Sequence, residues 1–531
     1  MYNKLKYCIF VFLVSIGFIS IRAFPQFDKL GYAQHVIENA YVDEVNTDSL
    51  TTEAIIAMLK TLDPHSSYTD AEETEELTQP LDGKFSGIGI QFSIVKDTVY
   101  VVQTTVGGPS EKAGIRPGDR IIYVNDSIFT HPKMANSEVL KTLRGEKGTR
   151  VDLKVKRGDQ MIDFSLIRDD IPIYSVDAAY MADPTTGYIR ISRFAESTAK
   201  EADEAIKKLK ALGMKNLIID LEDNGGGYLG AAYDLASQFL KPGQVVVSTK
   251  GRAVPERILE VKEKYDNDDI ERLVVMVNQY SASASEIFSG AIQDYDRGLI
   301  VGRRTFGKGL VQTPIPFPDG SMIRLTTARY YIPSGRLIQK EYTKGHSEEY
   351  QLDMLTRMTS GELFSADSIH LDKSIEYHTL RNGRVVYGGG GIMPDVFVPV
   401  DTSMYSTYYR DLMAKGVFNT FVLKYIDENR AKLVGDYPSE ESFHNNFDVS
   451  QDIIDQLIKS GEEEGVNYDE EGLKTSRPVI EGIIKGLLAR DLYENGVYSR
   501  AVNKLSPVFN EALNLINDPS RYYDLLGDKK R

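Results

Sequence analysis

Arg272-Leu273-Val274-Val275-Met276-Val277-Asn278-Gln279-Tyr280-Ser281-Ala282-Ser283-Ala284-Ser285-Glu286 is the stretch on which the fold turns. Its first half is a short, continuous run of mostly branched apolar residues, the pattern of a strand buried on both faces. Its second half is a turn of small residues that opens a helix over 284–295. A serine in such a turn projects near a helix N-terminus, whose free N–H groups favour developing negative charge. Small neighbours let a peptide backbone approach. Any of the three serines could be a nucleophile, and any could equally be a helix N-cap.

The same alternation repeats around this stretch. Strands are predicted at 187–192, 216–221 and 299–302, with helices at 198–212 and 228–240, so the region from about 171 reads as a layered α/β core. Two further segments sit at strand ends in that core. Asp220-Leu221-Glu222-Asp223-Asn224-Gly225-Gly226-Gly227 leads from a strand into a helix. Its glycines could free backbone N–H groups for an oxyanion, bind phosphate, or simply make the turn. Gly302-Arg303-Arg304-Thr305-Phe306-Gly307-Lys308-Gly309 follows another strand. A serine nucleophile needs a base, and a desolvated lysine can serve. Most lysines are instead solvated surface charges.

Upstream, residues 32–41 and 51–62 carry helix-spaced apolar positions, and Asp63-Pro64 stops the second helix. From Gly83 strands dominate. Three pieces there resemble a PDZ domain: Ser86-Gly87-Ile88-Gly89, Lys112-Ala113-Gly114-Ile115-x-x-Gly118-Asp119, and Leu143-Arg144-Gly145-x-x-Gly148-Thr149. Gly87, Ile88, Gly89 and Ile90 are the candidate peptide-binding residues. Backbone N–H groups of such a loop can hold a terminal carboxylate while the adjoining strand edge pairs with an extended peptide. Downstream of about 402 the chain turns rich in Asp, Glu, Asn and Tyr and reads as mostly helical.

The chain has 531 residues, a net charge of −15 and a single cysteine, Cys8. The length calls for several domains. The acidic balance argues against non-specific nucleic-acid binding. One cysteine excludes an intrachain disulfide, and no HExxH pattern supports a zinc hydrolase. Lys4 and Lys6 precede an apolar run at 7–21, as in a secretory signal. The run is short for a span of about 20 residues, and Ile21-Arg22-Ala23 is a poor cleavage site. A cleaved signal and an uncleaved anchor at about 7–24 are both open. Either implies an exported, periplasmic chain, in the second case held to the inner membrane.

Taken in order, the glycine turn, the serine turn and the lysine turn resemble those of the carboxyl-terminal processing peptidases, also called tail-specific proteases. The resemblance extends over residues 30–400 through Leu62-Asp63-Pro64-His65-Ser66, the PDZ-like block, Tyr330-Tyr331-Ile332-Pro333-Ser334-Gly335-Arg336 and Gly390-Gly391-Ile392-Met393-Pro394-Asp395. It implies a serine endopeptidase with Ser283 as nucleophile and Lys308, 25 positions on, as general base. Gln312 would orient the lysine amine, and the N–H groups of Gly226 and Ala284 would hold the oxyanion. It also implies a crotonase-like layered core, protein substrates captured by their C-termini, and no metal or organic cofactor. The expected order is a signal or anchor at 1–26, a helical segment at 27–82, a PDZ domain at 83–169, a peptidase core at 170–402 and a helical extension at 403–531. The extension is a candidate homo-oligomer interface or docking surface. One departure stands out: Glu222 occupies a position where the family usually has arginine.

Other readings weigh less. Gly302-x4-Gly307-Lys308 imitates a P-loop, but Gly309 cannot supply the Mg²⁺-holding hydroxyl. Ser197-x-x-Lys200 has no accompanying Lys-Thr-Gly, and Thr198 with Glu201 reads as a capping box. Asp63 and His65 suggest a relay pair, but Asp-Pro-His-Ser is also an ordinary helix-stopping turn. The competing functions are an inactive PDZ scaffold and a crotonase-like acyl-transfer enzyme.

Overall fold

A computed structural model describes residues 28–265, 267–369, 375–493 and 496–528. The expected signal or anchor at 1–26 lies outside them. Among the described residues no helix is long and apolar enough to cross a membrane.

The chain begins with helices α1 (Lys29–Ala40) and α2 (Thr47–Lys60), a short strand β1 (Ser67–Thr69) and helix α3 (Ala71–Asp82). Asp70 caps α3 reciprocally with Glu73. Strand β2 (Lys84–Gly87) then leads into the PDZ domain. It holds β3 (Ile90–Val95), β4 (Thr98–Thr104), helix α4 (Pro109–Ala113), β5 (Arg120–Val124), β6 (Ser127–Ile128), helix α5 (Asn136–Leu143), β7 (Arg150–Arg157) and β8 (Gln160–Ile167). The sheet order is β3-β4-β5-β7-β8, so β3 is an edge strand. Alternate residues of these strands, such as Val151, Leu153 and Val155, fill one core with Val139 and Leu143 of α5. The chain leaves through β9 (Asp169–Pro172), antiparallel to β2. Entry and exit thus form one two-stranded stalk.

The core has two sheets. The first contains β10 (Val176–Met181) and β11 (Thr186–Ile191), followed by helix α6 (Thr198–Ala211), β12 (Asn216–Asp220) and helix α7 (Leu229–Ser237). Strands β13 (Val245–Lys250) and β14 (Arg257–Glu260) belong to the second sheet. The chain returns to the first with β15 (Arg272–Val277), helix α8 (Ala284–Asp294) and β16 (Leu299–Gly302), then adds β17 (Leu310–Pro316) and β18 (Met322–Tyr331) to the second. After helix α9 (Ser347–Thr359), a hairpin of β19 (Glu376–His378) and β20 (Val385–Tyr387) precedes β21 (Val396–Phe397), which closes the first sheet. That sheet runs β10-β11-β12-β15-β16-β21, parallel from β11 onward. Leu217, Ile219, Val275 and Val277 point to the helices α6, α7 and α8. Their neighbours Ile218, Val274 and Met276 point the other way, as a period of two requires. Helix α8 is buried along its whole length.

A parallel sheet needs cover on its second face. It comes from the end of the chain, where the helices of the stretch 403–531 divide between two cores. Helices α10 (Thr407–Ala414), α11 (Val417–Asp436), α12 (Glu440–Asn446), α13 (Gln451–Glu463) and α14 (Glu470–Leu492), with part of α15 (Gly496–Val502), share their own core. Helices α16 (Pro507–Ile516) and α17 (Pro519–Leu525) instead pack Phe509, Leu515 and Tyr522 on the sheet with Tyr188, Ile218 and Val274. Sequence distance hid this, because nothing local marks which apolar face a terminal helix will cover. The helical unit also touches the PDZ domain: Gln103 donates to the carbonyls of Arg490 and Tyr493, and Arg120 pairs with Asp427.

Candidate active site

The turn after β15 distinguishes the three serines. Ser281 donates to the Leu221 carbonyl at 2.7 Å, and Ser285 to the Asn224 carbonyl at 2.8 Å. Both are fully buried and tie the serine turn to the glycine turn. Ser283 is the partly exposed one of the three. Its backbone has φ +57° and ψ −111°, a strained conformation of the kind that accumulates at functional sites. Ala284 follows as the first residue of α8, where an N–H has no intrahelical acceptor.

Gly226 lies directly against this turn. A Cβ there would stand 2.7 Å from the Ala282 carbonyl oxygen, 2.8 Å from Ser283 Cβ and 2.9 Å from the Ala284 nitrogen. Its φ of +100° also suits only glycine. Its N–H, the expected oxyanion donor, here donates to Asn224 Oδ1 at 2.9 Å. The short Asn224 side chain folds back on its own backbone. The N–H groups of Gly225 and Gly227 enter no hydrogen bond among the described residues.

Glu286 and Tyr330 bring the lysine turn to the serine turn. The Glu286 carboxylate is fully buried and accepts four hydrogen bonds. They come from the N–H of Ser283 at 2.8 Å, of Gly307 at 2.7 Å and of Lys308 at 2.9 Å, and from Thr305 Oγ1 at 2.5 Å. Ser283 and Lys308 share one oxygen, so their backbone nitrogens lie within about 6 Å of each other. From the other side the Tyr330 hydroxyl reaches the carbonyls of both Ser283 and Lys308. No hydrogen bond joins the Ser283 hydroxyl to the Lys308 amine, and the amine makes no ion pair among the described residues. Burial pulls that amine down to about 8, and the nearby Arg324 guanidinium adds to the effect against the opposing pull of Glu286 and Asp63.

Gln312, expected to orient the lysine amine, bonds elsewhere in this structure. Its amide donates to Thr326 Oγ1 at 3.2 Å and not to Lys308. Thr326 in turn donates to Asp63 Oδ1 at 2.9 Å. A β-bulge between Val311 and Gln312 shifts the β17–β18 register there and sets this aim.

Glu222, in place of the family's arginine, has a partner of opposite charge. Its carboxyl meets Arg303 Nη2 at 3.3 Å, and Arg303 Nε reaches Gln279 Oε1 in the serine turn at 2.8 Å. Burial, with Asp220 adding to it, pushes the Glu222 carboxyl up to about 8. In the PDZ loop, Gly87 ends β2, Ile88 is buried in the domain core, Gly89 takes φ +73° and Ile90 opens the edge strand β3. Only backbone groups of Ile88 can therefore face a peptide.

Sequence reasoning assigned no role to Glu286, Tyr330, Thr305 or Thr326. A signal existed for the first: Ser283-x-x-Glu286 has the spacing of a capping box.

Comparisons agree with this layout. Residues 185–348 match peptidase family S41, residues 86–167 a PDZ domain, residues 20–74 the activating protease CtpB N-terminal domain, and residues 408–494 a family of unknown function. The chain is 36% identical over 312 residues to a probable CtpA-like serine protease of Staphylococcus epidermidis, covering 58% of this chain and 62% of that one. It is 34% identical over 331 residues to a protein of the same description from Staphylococcus aureus, covering 61% and 64%. The aligned stretch thus spans less than two thirds of these relatives. A solved photosystem II D1 C-terminal processing protease is 29% identical and covers 58% of this chain and 89% of its own, at a TM-score of 0.33 too low to carry an argument. With a segment that matches peptidase family S41 preceded by one that matches a PDZ domain, the chain is similar to the PDZ-containing carboxyl-terminal processing proteases.

Proposed function

We propose that the chain is a serine endopeptidase that cleaves envelope proteins recognised by their C-termini, with Ser283 as nucleophile and Lys308 as general base. The observation that carries this reading is the double staple by Glu286 and Tyr330, which joins the strained Ser283 to a lysine with a lowered affinity for its proton.

In the proposed mechanism neutral Lys308 takes the Ser283 proton as the hydroxyl attacks a peptide carbonyl. The Ala284 N–H and the Gly226 N–H hold the oxyanion, the latter after leaving Asn224 Oδ1. The protonated lysine then gives its proton to the leaving amine. Water, deprotonated by the same lysine, releases the acyl-enzyme and restores the serine. Gln312 would assist by fixing the lysine approach through Thr326. A peptide C-terminus would add to the open edge of β3 with its carboxylate at the 87–89 loop.

The reading extends to a crotonase-like layering of the core, to export by residues 1–26 as a cleaved signal or inner-membrane anchor, and to homo-oligomer formation through the C-terminal helical unit. Support for export is the charge and hydropathy pattern alone. The test is cleavage of an unfolded protein with an apolar C-terminus. Ser283→Ala and Lys308→Ala are expected to lose all measurable activity, and full activity in either defeats the assignment.

A further inference from the structure

The turn Asp63-Pro64-His65-Ser66 stops helix α2, and a helix stop would need nothing more than its own local hydrogen bonds. The Asp63 carboxylate does accept from the N–H of His65 and of Ser66, each at 2.9 Å, and from Ser66 Oγ at 2.6 Å. Yet it is 7% exposed and also reaches across to the second core sheet. There Thr326 Oγ1 donates to Asp63 Oδ1 at 2.9 Å, and the Thr326 N–H donates to Ser66 Oγ at 3.0 Å. Thr326 Oγ1 accepts from Gln312 Nε2. The turn's other arm continues the circuit. His65 Nε2 meets the Tyr350 hydroxyl at 3.0 Å, Gln339 Nε2 meets the same hydroxyl at 3.2 Å, and Gln339 Oε1 accepts the Gly309 N–H at 2.7 Å. The bonds run from Gly309 round to Gln312 and close on the segment that begins at Lys308.

We propose that Asp63 is a positioning residue for Lys308, holding Gln312 through Thr326 and closing the N-terminal turn onto the strand that follows the lysine. This rests on the reading of Lys308 as the base. The charges that act on the amine are Arg324 of β18, Glu286 of α8 and Asp63 of the turn, and the amine in turn acts on His65. Burial first, and Lys308 second, keep His65 neutral down to about 3, so it adds no charge at working pH. Arg324 makes the amine easier to deprotonate, and Asp63 makes it harder. The N-terminal segment thereby both orders the base and limits how far its proton affinity falls.

Two readouts separate this from a structural role. The first is competitive labelling of the Lys308 amine by acetic anhydride across pH in the full-length protein, read by mass spectrometry. The second is the pH profile of kcat/KM. Asp63→Asn removes an anion, so the midpoint of both curves should move down by about half a pH unit or more. Thr326→Val keeps the carboxylate but cuts the relay. It should leave the midpoint in place and lower kcat about tenfold with little change in KM, and Thr326→Ser should restore kcat. A midpoint unmoved or raised by Asp63→Asn overturns the proposal, as does wild-type kcat in Thr326→Val. If Asp63→Asn does not fold, the Thr326 pair alone decides: no loss in Val, or loss in both, overturns it. Peptidase activity surviving in Ser283→Ala would instead defeat the protease reading, while the labelling curve would still report the coupling of Asp63 to Lys308.

Discussion

The turn that carries Ser283 is tied to the backbone of the glycine turn and packed closely against it, whereas the turn that carries Lys308 is tied by side chains of other segments. On the serine side, Ser281 and Ser285 lock onto the glycine turn, and Gly226 abuts Ser283 with no room for a methyl group. On the lysine side, Gly309 rests on Gln339, Gln312 on Thr326, and both lead to the N-terminal turn. A nucleophile has to be placed within tenths of an ångström, and close-packed backbone does that. A base has to be placed and also held at a useful proton affinity, and that requires charges whose distance can be set separately.

If this contrast is right, damage on the serine side should be steric and nearly complete. Gly226→Ala forces a Cβ to within 2.7–2.9 Å of three fixed atoms at φ +100°. Overpacking and backbone strain together should cost about 3–5 kcal/mol. Activity should fall at least about a thousandfold, with a lowered Tm by circular dichroism. A folded variant with near-normal kcat would break the comparison.

Glu286 is where the two sides join. Glu286→Gln turns an amide N–H₂ toward donors that need an acceptor, so activity should fall about a hundredfold, with both halves of the site loosened. A loss confined to KM would show that the staple orders substrate rather than catalyst.

On the lysine side the effects should be electrostatic and graded. The unfolded lysine keeps its proton up to 10.5, and the folded one loses it at about 8. Between those values the unfolded chain binds the extra proton, so stability rises with pH across that window. Below it, the buried cation costs on the order of 3 kcal/mol. Lys308→Met should therefore stabilise the protein at neutral pH by up to about that amount, with the gain vanishing above pH 10.5. Denaturant unfolding at the two pH extremes measures it. The activity of the unmodified protein should rise as pH passes about 8.

The smallest effect is expected at Glu222. Burial raises the proton affinity of the Glu222 carboxyl, so Glu222→Gln should stay within about threefold of full activity at neutral pH. Restoring the family's arginine would instead set a third cation beside Arg303 and Arg190 and lower activity about tenfold. Equal activity of the two variants would remove charge from the account of this turn.

The same contrast governs what was legible beforehand. The run 272–286 announces a buried strand, a tight turn and a helix within fifteen residues, and the structure builds them in that order. The three-serine ambiguity resolved only when partners appeared, because Ser281 and Ser285 bond to residues some 60 positions away. Gln312 pointed elsewhere than expected because a bulge, which no local signal marks, re-aims it. That helices α16 and α17 cover the core sheet is not legible locally, since amphipathicity says that a face is buried but not against what.

By itself, the sequence determined the order of the parts: the PDZ block, the alternating core, and the three turns that bear glycine, serine and lysine. Each of these is written in residues adjacent along the chain, where steric preference and hydrophobic period act directly. Only the tertiary structure decided that Glu286 and Tyr330 join two turns, that Asp63 completes the surroundings of the base, and that the chain's last helices close the core sheet. Those outcomes depend on which buried donor meets which acceptor across the fold, and burial makes such pairings obligatory without recording them in any local pattern.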